Sequence, residues 1–144
     1  MLLADVLRVK GTDVEKIGAT ERVGAAVQRL AERRIGALVV EDAWMRLVGM
    51  FSERDLVRAM ARDGAAALQH EVQSLMTAPF VSSPPGTRIE AAMGLMTMRR
   101  IRHLPVIEGD RLEGIVSIGD LVKYRLDEKE LEANVLLEIS RMRG

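Results

Sequence analysis

The chain has 144 residues, 48% of them hydrophobic and 29% charged, which is typical of an ordered globular domain and not of a disordered chain. Its 21 lysines and arginines balance 21 aspartates and glutamates, so no overall positive field drives nonspecific nucleic-acid binding, and the lack of cysteine excludes disulfides and thiolate chemistry. No signal-peptide pattern and no membrane-length apolar run occurs, so the cytoplasm is the expected compartment.

The first predicted elements form a helix, a hairpin and a second helix. Val23, Ala26, Val27 and Leu30 follow the i, i+3, i+4, i+7 spacing of an amphipathic helix. Two β-rich runs at 37–41 and 47–51 flank a short polar turn, which predicts an antiparallel hairpin. Another helix is expected to begin near Asp55.

The same order of elements recurs in the second half of the chain. The second copy has a helix from about Ile89, strands at 103–107 and 112–116, and a helix near Asp120. Thr87 and Glu90 have the spacing of a capping box, which predicts the start of the first of these helices.

Individual residues also repeat, at offsets of 66 and then 65 positions. Arg33-Arg34-Ile35 recurs as Arg99-Arg100-Ile101, and the segment 46–57 matches 111–122. We therefore expect one module of two docked repeats: repeat one at about 14–62, a linker at 63–76, repeat two at about 77–125, and a C-terminal helix at 126–142.

The C-terminal helix carries an apolar stripe on a charged background. Leu131, Val135, Ile139 and Met142 are spaced by four, four and three residues, which puts them on one helical face. This face is expected to pack on its own module or on a second chain, and we favour a symmetric homodimer.

A block that occurs in both repeats is the candidate for chemistry. Residues 49–55 and 114–120 both fit Gly-h-h-Ser-x-x-Asp, where h is apolar. The pattern places a hydroxyl and a carboxylate at a strand-to-helix junction beside free backbone N–H groups, which suits a ribose and a phosphate. Alternatively, Ser52 and Ser117 are helix caps, with Asp55 and Asp120 favourable to the helix dipole; the two interpretations do not exclude each other.

These features together resemble the CBS-pair, or Bateman, family over residues 14 to 124. The resemblance rests on Met76-Thr77, on Ile101-Arg102-His103-Leu104-Pro105-Val106, and on the Ser-x-x-Asp that closes both repeats. It implies a mixed α/β fold with tandem strand, helix, strand, strand, helix repeats that pack as a pseudo-two-fold pair. It also implies clefts for AMP, ATP, S-adenosylmethionine or NAD(H).

The resemblance further implies roles for individual residues. Asp55 and Asp120 would accept hydrogen bonds from ribose hydroxyls. The residues on the phosphate side would be Ser52, Arg54, Ser117, Arg102 and His103, and those of the adenine pocket Ile17, Met50, Phe51, Ser83, Ile115 and Val116. The second repeat has Arg102 and His103 where the first has Gly36 and Ala37, so the second cleft is expected to prefer phosphorylated ligands.

The expected function is a regulatory module that binds an adenine nucleotide (AMP first, or ADP, ATP or NAD(H)) and signals to an unknown partner protein. No Ser-His-Asp or His-Glu-x-x-His arrangement and no glycine-rich phosphate loop occurs, so we expect no enzyme, no catalytic cofactor and no metal. The alternatives are a dimerisation module without a ligand and an RNA-binding accessory. The latter is disfavoured because one Trp, one Tyr and two Phe offer few stacking platforms.

Overall fold

A computed structural model describes residues 1–143 and divides into two compact units. The repeat-one unit consists of Asp13–Val81. The repeat-two unit joins Met1–Thr12 to the chain from Ser82 onward. The first twelve residues therefore belong structurally with the second repeat.

The repeat-one unit is a three-stranded sheet with flanking helices. Its elements are β1 (Lys16–Gly18), α2 (Val23–Arg33), β2 (Ala37–Glu41), β3 (Leu47–Ser52), α3 (Glu53–Asp63), a 3-10 helix (Gly64–Gln69) and α4 (Val72–Leu75). β2 is the central strand, parallel to β1 and antiparallel to β3. This confirms the strand, helix, strand, strand, helix order expected for a repeat.

The core of the repeat-one unit forms where the apolar face of α2 meets the sheet. Val23 and Ala26 of α2 are fully buried, and they cluster with Leu38, Val40 and Phe51 of the strands. β2 is buried on both faces, which explains its continuous apolar sequence. Phe51 is a large, fully enclosed side chain of this cluster.

The repeat-two unit contains α1 (Leu3–Lys10), α5 (Ile89–Arg99), β4 (His103–Glu108), β5 (Arg111–Ser117) and α6 (Ile118–Arg143). β4 and β5 form an antiparallel hairpin. The first strand of this repeat is reduced to a parallel bridge between Ser83 and Val106. Pro84 and Pro85 follow at once, and since proline has no N–H to donate, they prevent a longer ladder.

The expected capping box at Thr87 and Glu90 is wrong. α5 begins at Ile89, its N-cap is Arg88, and no side chain caps it. Glu90 is thus the second helical residue, one position too early to reach back to the cap, and it pairs with Arg125 of α6 instead. The Thr87 carbonyl accepts a hydrogen bond from the Leu3 N–H of α1 at 2.9 Å.

Helix α1 closes the core of the repeat-two unit. Its buried residues are Leu3, Val6 and Leu7. Ala4 N–H donates to Pro85 O at 3.0 Å, which helps hold α1 beside the segment that leads into α5. In the repeat-one unit α4 has the matching place, where Val72 N–H donates to Glu21 O at 2.8 Å. Each repeat is thus completed by the segment that precedes the other repeat in the sequence.

The first glycine of each Gly-h-h-Ser-x-x-Asp block makes room for these segments. A Cβ on Gly114 would lie 2.7 Å from Leu7 Cδ2 of α1. A Cβ on Gly49 would lie 2.5 Å from Met76 Sδ and 3.0 Å from the Thr77 carbonyl oxygen. The contacts at 2.7 Å and 2.5 Å are too short for a real Cβ, so a larger residue at either glycine would displace Leu7 or Met76.

Helix α6 begins at the second Ser-x-x-Asp block and runs without a break to Arg143, so the C-terminal helix predicted at 126–142 is the continuation of the last helix of repeat two and not a separate element. It runs for 26 residues, and Leu121 near its start is fully buried. Every residue from Lys129 to Arg143 is exposed, including the predicted apolar stripe. Within residues 1–143, no helix is both long enough and apolar enough to cross a membrane.

Candidate functional site

In the repeat-one unit, the Ser-x-x-Asp residues lie where β3 passes into α3. Ser52 is the N-cap, and its N–H donates to Asp55 Oδ2 at 2.8 Å, while its hydroxyl lies 3.2 Å from the same oxygen. The other carboxylate oxygen, Oδ1, accepts a hydrogen bond from Thr77 Oγ1 at 2.9 Å. Asp55 is only 8% exposed, so a buried carboxylate is held here by uncharged donors.

In the repeat-two unit, the matching residues lie where β5 passes into α6. Ser117 N–H donates to Asp120 Oδ2 at 2.8 Å, and Asp120 N–H donates back to Ser117 Oγ at 3.0 Å. This reciprocal pair is a capping box. The capping interpretation is therefore confirmed in both repeats.

Capping by an aspartate is not restricted to the candidate sites. At the start of α1, Leu2 N–H donates to Asp5 Oδ2 at 2.8 Å, and Asp5 also pairs with Arg8. Asp5 thus has the same place in its helix as Asp55 and Asp120 without being part of a repeated motif. It provides an internal control for any test of ligand binding.

Asp120 differs from Asp55 because a lysine contacts it. Lys10 Nζ lies 2.6 Å from Asp120 Oδ2 and donates to the Ile115 carbonyl at 2.7 Å. Burial alone would raise the pKa of Asp120, but the hydrogen bonds from Lys10 and Ser117 and the Lys10 charge outweigh it, so the pKa lies below its ordinary value. These contacts stabilise the fold above the unfolded-state pKa of an aspartate, and the stabilisation is lost as the pH falls through the lowered native pKa.

The strand register places the basic pair beside the second capping box. His103 pairs with Ser117 across the β4–β5 ladder, and the Arg102 carbonyl accepts a hydrogen bond from Ile118 N–H at 2.9 Å. In the repeat-one unit, Ala37 pairs with Ser52 in the same way. The sequence match of Arg102-His103 with Gly36-Ala37 is therefore a match of structural positions.

The cations of the two sites differ accordingly. In the repeat-two unit, Lys10, Arg102 and His103 all belong to segments that contact the junction at Ser117 or Asp120. In the repeat-one unit, Arg54 lies in the first turn of α3. At the second junction, the Lys10 side chain thus contacts the carboxylate, and the backbone of two further basic residues, Arg102 and His103, adjoins it.

The residues predicted for the adenine pocket are mostly buried. Phe51 and Val116 are fully enclosed, and Ile17, Met50 and Ser83 are also buried. Ile115 is half-buried, and its carbonyl contacts Lys10. A ligand could reach Phe51 only by displacing core side chains, whereas Ile115 lies directly at the contact between Lys10 and the second junction.

Sequence reasoning missed Lys10 and gave Thr77 no role at the site. Lys10 precedes residue 14, where the sequence predicts the first repeat to begin, so the repeat pattern gives it no role. Extending the 65-residue offset backwards pairs Thr77 with Thr12, which would have directed attention to this segment. The 110-residue separation of Lys10 and Asp120 leaves no local signal of their contact.

A groove elsewhere in the repeat-two unit does not coincide with the junction. It has a volume of about 320 Å³ and is lined by residues that include Leu7, Arg8, Glu108 and Glu113. Glu108 and Glu113 lie near the hairpin turn, at the opposite end of the ladder from His103 and Ser117. Among residues 1–143, no three metal-ligating side chains gather closely enough to hold a metal ion.

The chain is a tandem-repeat module. Each of its two repeats has a hairpin that leads into a helix capped by a Ser-x-x-Asp block. The chain belongs to the CBS-domain family: the model of the CBS domain matches residues 5–62 and 72–127. This confirms the family resemblance and the fold. CBS-domain pairs are generally regulatory modules that bind adenosine ligands.

Similar proteins include both curated sequences and a solved structure. The chain is 33% identical over 138 residues to the mitochondrial CBS domain-containing protein CBSX3 of Arabidopsis thaliana, covering 90% of this chain and 67% of the relative. It is 30% identical to the CBS domain-containing protein YhcV of Bacillus subtilis, covering 90% of each. A crystal structure of a CBS-domain protein from Agrobacterium tumefaciens is 44% identical, with a TM-score of 0.84 over 86% of this chain and 92% of that one.

Proposed function

We propose that the chain is a non-catalytic regulatory module that binds adenine nucleotides at its Ser-x-x-Asp junctions and signals the bound state to a partner protein. AMP is the leading ligand, with ADP, ATP and NAD(H) as the others of the same class. One observation supports this most: Lys10 contacts the Asp120 carboxylate, and the strand register places the backbone of Arg102 and His103 beside the same junction.

This combination suits the two polar parts of a nucleotide. An ionised carboxylate can accept hydrogen bonds from both vicinal hydroxyls of a ribose. Guanidinium, ammonium and imidazolium groups form charge-assisted hydrogen bonds with phosphate oxygens. A neutral nucleoside would use the first set of contacts alone, whereas a nucleotide would use both.

The repeat-one junction supports a different preference. Asp55 is held by the hydroxyls of Ser52 and Thr77, and Gly36 and Ala37 replace the basic pair. We therefore propose that this junction binds the ribose of an adenosine ligand with a weaker preference for phosphate. Arg54 in the first turn of α3 is its proposed cation.

A thermal-shift screen with adenosine, AMP, ATP, NAD+ and S-adenosylmethionine tests the proposal. A ligand at 100 times its Kd should stabilise the folded protein by about 2.7 kcal/mol. Replacing Arg102 and His103 by alanine should weaken AMP binding by about tenfold, with adenosine almost unaffected, because only charge-assisted bonds to phosphate are lost.

The matched control for this double variant is Arg62→Ala with Arg111→Ala, which removes two exposed basic residues, one in the last turn of α3 and one at the start of β5. It should leave both affinities unchanged. If no adenine compound shifts the melting temperature, the alternative of a module without a physiological ligand is favoured. Equal losses of AMP and adenosine in the Arg102/His103 variant would contradict phosphate recognition there.

We also propose that the exposed half of α6 pairs with α6 of a second copy in antiparallel orientation. Leu131, Val135, Ile139 and Met142 lie exposed on one face of this helix. The first part of this exposed half is acidic, with Asp127, Glu128, Glu130 and Glu132, whereas its last turn is basic, with Arg141 and Arg143. An antiparallel partner would bring the acidic part of one copy to the arginines of the other and cover both apolar stripes.

Light scattering is expected to give twice the 15.9 kDa mass of one chain at micromolar concentration. Ile139→Lys should shift the protein toward the monomer, because it places a charge in the centre of the stripe. Leu137→Lys is the matched control, since Leu137 is also exposed but faces away from the stripe. A wild-type monomer, or equal effects of the two variants, would contradict the proposed interface.

A further inference from the structure

The contact between Lys10 and Asp120 joins the last residue of α1 to the carboxylate proposed to bind ribose. We infer that this contact is an intramolecular latch, which a ligand with a vicinal diol must open in order to bind at the second junction. The inference rests on the proposed function and concerns the regulation of the same site.

The lone pairs of the Asp120 carboxylate limit the number of hydrogen bonds that it can accept. Each carboxylate oxygen offers about two acceptor positions. At Asp120, Oδ2 accepts from Ser117 N–H at 2.8 Å and from Lys10 Nζ at 2.6 Å, so both of its positions are occupied. A ribose that uses both carboxylate oxygens must take one of these positions.

The two present donors are not equally replaceable. The Ser117 N–H belongs to the backbone at the start of α6 and is fixed by the strand and the capping box. Lys10 has a flexible side chain that is about one-third exposed, so its ammonium can move into water. A diol at Asp120 therefore displaces Lys10 and leaves the Ser117 hydrogen bond intact.

Displacement of Lys10 affects the end of α1. Beyond Lys10 the helix stops at Gly11, whose N–H donates to Leu7 O at 2.8 Å and whose φ is 101°. When Lys10 moves away, its hydrogen bond to the Ile115 carbonyl oxygen, 2.7 Å long, is also lost. The last turn of α1 loses a side-chain anchor when the latch opens, so binding at Asp120 is coupled to the order of residues 8–11.

The repeat-one junction holds its carboxylate with different donors. Asp55 Oδ1 accepts a hydrogen bond from Thr77 Oγ1 at 2.9 Å, and Asp55 Oδ2 accepts one from Ser52 N–H at 2.8 Å. The Lys10 contact at Asp120 therefore makes the two repeats unequal in a way that is separate from the basic pair at Arg102 and His103.

The test is calorimetry with adenosine and 2′-deoxyadenosine on the full chain in an Asp55→Ala background, so that only the second junction reports. Lys10→Met keeps most of the aliphatic stem and removes the ammonium. It should tighten adenosine binding by about two- to fivefold, since a partly exposed ion pair no longer has to be broken. The affinity for 2′-deoxyadenosine should stay unchanged, because its single hydroxyl can use Oδ1 while Lys10 remains in place.

Lys16→Met is the matched control. Lys16 Nζ lies 2.9 Å from Glu41 Oε1 in the repeat-one unit, so the variant removes a similar ion pair away from Asp120. It should leave the affinities for both nucleosides unchanged. Weaker adenosine binding in Lys10→Met, or equal changes for the two nucleosides, would overturn the latch.

Hydrogen exchange provides a second measurement that does not need the Asp55→Ala background. Adenosine should speed amide exchange in the last turn of α1 of the wild-type protein, and 2′-deoxyadenosine should not. Slower exchange there with adenosine would also overturn the latch. If adenosine binds and depends on Asp120 but neither effect occurs, the latch alone fails; if no adenine compound binds at all, the proposed function fails first.

Discussion

Asp120→Ala is expected to weaken binding of an adenine nucleotide at the second junction by about ten- to a hundredfold, as expected for the loss of a charged hydrogen-bonding partner. The variant also removes the capping box with Ser117 and the contact with Lys10. Some loss of stability is therefore expected together with the loss of affinity. Calorimetry below the melting temperature of the variant measures the affinity separately.

Asp5→Ala separates the two effects. Asp5 caps α1 through Leu2 and pairs with Arg8, so its removal also breaks a capping contact and an ion pair in the repeat-two unit. This variant should lower the melting temperature and change nucleotide affinity far less than Asp120→Ala does. If Asp120→Ala behaves like Asp5→Ala in both measurements, the carboxylate of the second Ser-x-x-Asp block serves helix capping only.

Phe51→Ala is expected to lower the free energy of unfolding by about 3–5 kcal/mol, which is the usual cost of deleting a fully buried aromatic side chain. Phe51 has no exposed surface, and it belongs to the cluster that joins the sheet of the repeat-one unit to α2. Urea denaturation measures the effect, with circular dichroism to establish that the variant still folds before denaturant is added.

Phe80→Ala is the matched control for Phe51→Ala. Phe80 is the other phenylalanine of the chain, and it is only half-buried, so its removal should cost clearly less. The comparison also tests the adenine-pocket role predicted for Phe51. A small loss of stability combined with a large loss of nucleotide affinity would show that Phe51 contacts ligand and is not mainly a core residue.

The elements of the fold were predictable because local periodicity determines them. The apolar spacing of α2 and the short polar turns of both hairpins follow from residues close in sequence, and the structure agrees to within about two residues at the element ends. The start of α5 was predicted less well. Thr87 has the residue type of a cap, but its backbone is used by Pro84 and by Leu3 of α1, and the latter contact is not local.

The candidate site was only half predictable for a related reason. The Ser-x-x-Asp pairs and the position of Arg102 and His103 follow from the repeat itself, because corresponding positions in two repeats occupy corresponding places in the ladder. Lys10 and Thr77 contact the carboxylates from segments that precede the opposite repeats. Pairwise matching of the repeats gives no information on which segment completes which repeat.

Because each repeat is completed by the segment that precedes the other repeat, the order of synthesis affects the order in which the two units can fold. All of Asp13–Val81 is synthesised before β4 and β5, so the parts of the repeat-one unit are together earlier than those of the repeat-two unit. Helix α1 is made earlier still, yet its partners Thr87, Gly114 and Asp120 emerge about 85 to 110 residues later. Its apolar face with Leu3, Val6 and Leu7 therefore gains its native contacts only after most of the chain has been made.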